Sequence, residues 1–289
     1  MIRPLTKPLT TAAIALAMLA APGLVPAAKA DEACGVGEPC VIEGGEYYLV
    51  LPDDWDSETP LPALMFFHGH ASSGESVITS QNLKNSFGGA GYAIIAPNGA
   101  IWPERDIRAW PARLMTEPWR DDVAFSLAVL EDVATKIPLD QDRILVSGFS
   151  AGGSMAWMMA CHEGARFQGF APVAGALRRP VPDEGCSGGP APLIHIHGFT
   201  DRQVPLEGRA IRDWHQGDVF ESLELMRTAN QCASLPSEIA FGDNFRCRYW
   251  NDCASESPIA MCMHDGGHGL PEGWAGEAIK WFESLEAKS

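Results

Sequence analysis

Four short apolar runs punctuate the chain: Ala63 to Phe67, Ala93 to Ala96, Arg143 to Ser147, and Leu193 to His197. Each is bounded by turn residues and too short for a helix, and the near-continuous apolarity suits strands buried on both faces of a parallel sheet. Between them lie helical stretches. The clearest is Asp122 to Lys136, where Val123, Leu127, Leu130 and Ala134 recur at the spacing of one helical face and Pro138 stops the chain. Strand and helix alternate, which predicts an α/β fold: a mostly parallel, doubly wound sheet with helices on both faces. Ahead of these, Glu46 to Leu51 reads as an antiparallel edge strand. Near the end, Ile259 to Met263 reads as the last strand and Ala275 to Leu285 as a closing helix. One segment breaks the rhythm. Asn98 to Arg120, rich in Trp, Pro and Arg, has no clear period. Because it follows a strand's C-terminal end, where open α/β sheets bind ligands, it is expected to form a pocket wall.

The first thirty residues read as an export signal. Arg3 and Lys7 form a basic start, Thr11 to Ala21 is an apolar run, and Ala28-Lys29-Ala30 is a small-residue cleavage site. The run is short for a bilayer span, so no stable membrane anchor is expected. Residues 31–289 are then expected to form one domain, secreted or periplasmic. The segment removed carries three cations and no acid, so the net charge moves from −16 to −19. Such a field repels phosphate backbones, which disfavours nucleic-acid binding. All eight cysteines follow the signal, an even set that points to disulfides in an oxidising compartment. Local spacing suggests Cys34 with Cys40, and four more cluster between Cys232 and Cys262. Nothing in the sequence sets the oligomeric state.

The strongest chemical signal runs from Asp142 to Cys161. A buried strand enters Gly148-Phe149-Ser150-Ala151-Gly152, and an apolar helix leaves it. The glycines permit a tight turn that lifts the Ser150 hydroxyl above the sheet at a helix N-terminus, the context a nucleophile elbow requires. A base and an acid are expected later in the chain, in the order Ser, Asp or Glu, His. His268 sits in a glycine-rich loop past the last strand, and Asp201 lies just past the strand ending at His197. Their rivals are His264 and Asp265, and for the acid also Glu207 and Asp213. Loop position favours His268 and Asp201. An oxyanion hole needs two backbone N–H donors, one after the nucleophile and one from an earlier loop, which points to Ala151 and His70. His68 reads as a structural histidine. The pairs His68 and His70, His195 and His197, and His264 and His268 lack the set of a zinc hydrolase, and β alternation alone puts His195 and His197 on one face. Neither a metal nor any other cofactor is expected. In the irregular segment, Trp102, Trp110 and Trp119 are candidates to stack on an aromatic acyl group or a sugar ring, with Arg105, Arg108 or Arg113 meeting a carboxylate.

With these residues in place, the chain resembles the extracellular esterase family of polyhydroxybutyrate depolymerases and feruloyl or acetylxylan esterases. The resemblance runs from about Glu46 to Trp281 through FFHGHASS, APNG, DDVAFSLAVLEDV, DQDRILVSGFSAGG, FAPVAG, HIHGFTDRQVP, ANQC and MHDGGHGLP. It implies an α/β-hydrolase whose Ser-Asp-His triad maps onto Ser150, Asp201 and His268, acting on esters of hydroxyalkanoate oligomers or of feruloylated and acetylated polysaccharides. The family often has Trp-Pro after the histidine, where this chain has Gly269-Leu270-Pro271. The alternatives are a peptidase or thioesterase on the same triad, or a non-catalytic secreted binding protein with a hydrolase fold.

Overall fold

The computed structural model describes residues 34–285, apart from 36, 103, 113–118 and 212–213. The expected export signal, Arg113 and Asp213 therefore lie outside the described residues. In chain order the strands are β1 (Cys40–Ile42), β2 (Gly45–Val50), β3 (Leu61–Phe67), β4 (Ala93–Pro97), β5 (Ala100–Trp102), β6 (Ile107–Ala109), β7 (Leu139–Phe149), β8 (Gly169–Val173), β9 (Leu193–Gly198), β10 (Ala210–Ile211), β11 (Trp214–His215), β12 (Glu238–Phe241), β13 (Arg246–Trp250) and β14 (Ile259–His264). The helices are α1 (Gly74–Ile78), α2 (Gln81–Ser86), α3 (Asp122–Lys136), α4 (Ala151–Glu163), α5 (Val219–Ala229) and α6 (Trp274–Glu283).

Ten strands form one sheet in the order β1-β2-β4-β3-β7-β8-β9-β14-β13-β12. The central six, β4 to β14, run parallel. An antiparallel pair flanks them on each side. Alternation sends Ala63, Met65 and Phe67 of β3 to one face, with the apolar residues of α3, α4 and α5. It sends Leu64 and Phe66 to the other, with those of α1, α2 and α6. Helices therefore cover both faces, as the apolar pattern predicts. Asp121 caps α3, its carboxylate accepting from the N–H groups of Val123 and Ala124, and Pro138 follows the last turn.

Two expectations need correction, and one central strand lies outside the four apolar runs. β2 is antiparallel to β4 but is not the edge, because β1 adds a further strand outside it. β8, Gly169-Phe170-Ala171-Pro172-Val173, is a fully buried central strand that is not among the four apolar runs. Gly169 lets α6 pack closely there, since a Cβ would lie 3.1 Å from the side chains of Leu285 and Phe282. The segment from Asn98 to Arg120 is not wholly irregular: β5 and β6 pair as a hairpin inside it.

Four disulfides tie the chain: Cys34–Cys40, Cys161–Cys186, Cys232–Cys253 and Cys247–Cys262. The first is the pair that local spacing suggests, and the last two resolve the C-terminal cluster. No helix among the described residues is long and apolar enough to cross a membrane.

Candidate active site

Ser150 stands at the turn between β7 and α4 with φ 59° and ψ −115°, a conformation unusual for a residue with a side chain. Its neighbours explain how the turn is held. A Cβ on Gly152 would lie 2.0 Å from the Phe67 carbonyl oxygen, and one on Gly148 would lie 2.4 Å from the Gly152 carbonyl oxygen. Backbone thus packs directly on backbone at both glycines. The Ser150 N–H donates to the Val173 carbonyl at 3.0 Å, tying the turn to β8.

His268 and Asp201 reach this turn from loops past β14 and β9. The His268 Nδ1 lies 2.7 Å from Asp201 Oδ2, and its Nε2 lies 2.8 Å from Ser150 Oγ. A carboxylate can only accept, so Nδ1 carries the proton, and the Nε2 lone pair of the neutral ring faces the Ser150 hydroxyl. Asp201 Oδ1 accepts from the N–H groups of Gln203 and Val204, each at 2.8 Å. Burial pushes the Asp201 carboxyl up, but hydrogen bonds from His197, His268 and the Val204 N–H outweigh it and hold the group well below the usual carboxylate range. Asp201 therefore stays ionised. The Phe149 ring packs on His268 with centroids 4.9 Å apart.

The rivals go elsewhere. His264 is buried, its Nδ1 accepting from the Gly266 N–H at 3.1 Å. Asp265 makes a two-pronged ion pair with Arg246 at 2.6 and 3.0 Å. Glu207 is exposed.

On the other side of Ser150 runs the loop after β3. A Cβ on Gly69 would meet Ser150 Cβ at 3.9 Å, so this loop lies against the nucleophile turn. The N–H of Ala71 donates to Arg108 and that of Ser72 to Gly69, while that of His70 has no acceptor among the described residues. Ala151 opens α4, and the N–H of a helix's first residue has no acceptor within its own helix. His68 is structural, as its sequence position suggests. Its Nδ1–H donates to the Gly69 carbonyl at 2.7 Å and its Nε2 accepts from the Gly99 N–H at 2.9 Å. Burial pushes this imidazole down to about 4, so it is neutral.

The aromatic candidates divide. Trp110 is 1% exposed, packs edge-on against Phe67, and donates its indole N–H to the His68 carbonyl at 2.9 Å. It supports the loop and offers no free ring face, which corrects the expectation that it touches substrate. Trp102 and Trp119 meet edge to face at 5.9 Å, and the Arg105 guanidinium lies 4.6 Å over the Trp102 ring. Arg108 is paired with Glu46 at 2.9 Å. Arg178, which no sequence motif marks, joins the site through tertiary contacts. It donates to the carbonyls of Trp110 and Pro111 at 2.5 and 2.7 Å and lies over the Trp214 ring. After burial, Arg178 and then Arg105 push the His70 imidazole further down, so both cations lie near it.

For a metal, the described residues bring together Cys247, Cys262 and Glu277, but the two sulfurs are bonded to each other and offer no thiolate.

Comparison with known proteins agrees with this architecture. Residues 49–172, from β2 through α4 to β8, match the BD-FAE family model. The acetyl xylan esterase from Aspergillus awamori superposes over 82% of this chain and 93% of its own, with a TM-score of 0.63 at 15% identity, a likeness of fold. "Probable feruloyl esterase C" of Aspergillus niger is 28% identical over 80% of this chain and 79% of its own length. "Feruloyl esterase C" of Emericella nidulans is 31% identical over 80% of this chain and 79% of its own length. An identity of that size over that span, on this fold, means that the chain belongs to the feruloyl esterase family of α/β-hydrolases and is a carboxylic ester hydrolase.

Proposed function

We propose that the chain is an exported serine esterase that cleaves its substrate through an acyl-enzyme on Ser150, with His268 as general base and acid and Asp201 as its orienting carboxylate. The observation that carries this reading is the unbroken chain from Ser150 Oγ through His268 to Asp201 Oδ2, at 2.8 and 2.7 Å. His268 Nε2 takes the hydroxyl proton as Oγ attacks the ester carbonyl carbon. The resulting oxyanion is met by the N–H groups of Ala151 and His70. As the tetrahedral centre collapses, the C–O bond to the alcohol breaks and His268 returns the proton to the leaving oxygen. Water then attacks the acyl-enzyme with His268 again as base, releasing the acid and restoring Ser150. Asp201, held ionised by its buried donors, keeps the Nδ1–H tautomer and stabilises the imidazolium formed in both halves.

The substrate we infer is an ester of an aromatic hydroxycinnamate-type acid. The relatives' names supply the class, and Trp102, Trp119 and Arg105 supply a wall of aromatic faces and a cation suited to a phenolic ring. Hydroxyalkanoate oligomers and acetylated xylan are the competing ester classes. Export is supported by the four disulfides, which persist in oxidising compartments, and by the basic and apolar start of the sequence. Turnover of nitrophenyl acetate, methyl ferulate, acetylated xylan and hydroxybutyrate oligomers, with Ser150→Ala alongside, tests both parts. The variant should be folded, inactive and unlabelled by a fluorophosphonate. A folded Ser150→Ala protein that still cleaves esters overturns the mechanism, and a higher kcat/KM for either competing class than for methyl ferulate overturns the substrate.

A further inference from the structure

The mechanism leaves a set of buried histidines unused. β9 carries His195 and His197 on one face, both 0% exposed. His197 Nε2 lies 2.8 Å from the Val204 carbonyl oxygen and 3.4 Å from Asp201 Oδ2. Both of those groups only accept, so Nε2 carries a proton. His197 Nδ1 lies 2.9 Å from His195 Nε2. In the neutral ring this Nδ1 accepts, so His195 donates and sets which nitrogen of His197 faces the Asp201 turn. The titratable groups around His197 are Asp201, His195 and His264.

Two backbone bonds tie the start of the Asp201 turn to the neighbouring strand end, from the N–H groups of Phe199 and Thr200 to the carbonyls of His264 and Gly266 at 2.9 and 3.1 Å, and His197 adds a tie at its far end. Asp201 sits on a loop beyond the end of β9, and its Oδ1 contacts, the N–H groups of Gln203 and Val204, belong to the same loop. Those bonds fix the shape of the turn but not its place above the sheet. His197 is rooted in a buried central strand and bonds the far end of the turn at Val204, while its N–H also faces the oxygen that His268 uses.

We propose that His197 is a positioning residue for ester hydrolysis: its Nε2–H, shared between the Val204 carbonyl and Asp201 Oδ2, holds the turn so that this oxygen faces His268. The inference rests on the reading of Ser150, His268 and Asp201 as a triad. His197 touches neither substrate nor Ser150, so its removal should lower kcat and leave KM in place.

The test uses the full oxidised protein and a soluble nitrophenyl ester, comparing wild type, His197→Leu, His197→Gln and Ser150→Ala. Leu keeps bulk without a donor, and Gln carries an N–H close to the Nε2 position. His197→Leu should lose about 10- to 100-fold in kcat with KM within about twofold, the range expected when a reacting group is misplaced by about 1 Å. The downfield proton resonance of His268 Nδ1–H should shift in the same variant, and His197→Gln should recover most of both. Should His197→Leu not fold, His197→Asn, one atom too short to reach Val204, takes its place with the same readings. A folded donorless variant with wild-type kcat overturns the proposal, as does an equal loss in the Gln variant, which would assign the effect to ring shape. If Ser150→Ala itself retains activity, the triad reading fails instead, so the two failures are distinguishable.

Discussion

Replacing Asp201 by Asn tests the mechanism at one proton. Asp201 Oδ1 accepts two backbone N–H groups at 2.8 Å, and its side chain is fully buried. An asparagine there must keep its carbonyl oxygen toward those donors, because turning its NH2 group to them would leave three donors unpaired, the Val204 N–H among them buried. The NH2 group then occupies the Oδ2 position, 2.7 Å from His268 Nδ1. Two donors cannot face each other, so His268 must move its proton to Nε2. That nitrogen lies 2.8 Å from Ser150 Oγ and no longer has a lone pair to offer it. The shape of the site is unchanged and the base is gone. The expected loss in kcat is about 10⁴-fold, as for a wrong-tautomer triad, equivalent to roughly 5 to 6 kcal/mol of barrier. The assay is nitrophenyl ester hydrolysis near neutral pH, with circular dichroism and thermal melting to establish that the variant is folded. A folded Asp201→Asn enzyme within about tenfold of wild type would refute the tautomer argument.

Further outcomes follow from the packing around the site. Gly152→Ala places a Cβ 2.0 Å from the Phe67 carbonyl oxygen and 2.6 Å from that of His68, so it should destabilise by more than about 4 kcal/mol or prevent folding, read as Tm and soluble yield. Gly276→Ala is its control, since nothing lies within 4 Å of the new Cβ in α6, and helix propensity should stabilise it by about 0.5 to 1 kcal/mol. His68 has a folded pKa of about 4 against an ordinary 6.5, so the unfolded chain takes up its proton first as pH falls. Its contribution to stability is complete above pH 6.5 and is lost toward pH 4, by about 2 kcal/mol between pH 7 and 5. Buried Asp122, raised to about 6, works in the opposite direction over an overlapping window, so the check is wild type against His68→Gln by urea unfolding at both pH values. An equal pH slope in the two proteins would contradict it. Trp102→Ala should raise KM for methyl ferulate several-fold, by roughly the 1 kcal/mol of a lost aromatic contact, while kcat/KM for nitrophenyl acetate holds. Equal losses on both substrates would remove Trp102 from the acyl side.

Several elements were legible because their physics is local. The run around Ser150 needs small residues before and after a raised serine, and Gly148 and Gly152 provide the clearance that the coordinates put at 2.4 and 2.0 Å. The helix α3 shows its apolar face and its proline stop in the sequence, and its predicted bounds match. The buried runs of β3, β4, β7 and β9 carry the apolarity of strands covered on both faces. His268 could be chosen ahead of His264 because loops past strand ends reach over a sheet, while strand residues point by alternation.

What the sequence determined by itself was the alternation of strand and helix and the glycine-flanked turn at Ser150, since each depends on neighbours a few residues apart. The tertiary structure decided the rest. β8 is a strand because β7 and β9 pair with its backbone on either side, whatever its Gly and Pro prefer alone. Trp110 became a buried support rather than a pocket face because its indole found the His68 carbonyl, 42 residues away. Arg178 joined the site through the Trp110 and Pro111 carbonyls, 68 and 67 residues away, contacts no spacing encodes. The physical reason is common to all of them. Burial and hydrogen-bond partners set what a polar or aromatic group does, and these exist only once distant segments have packed together.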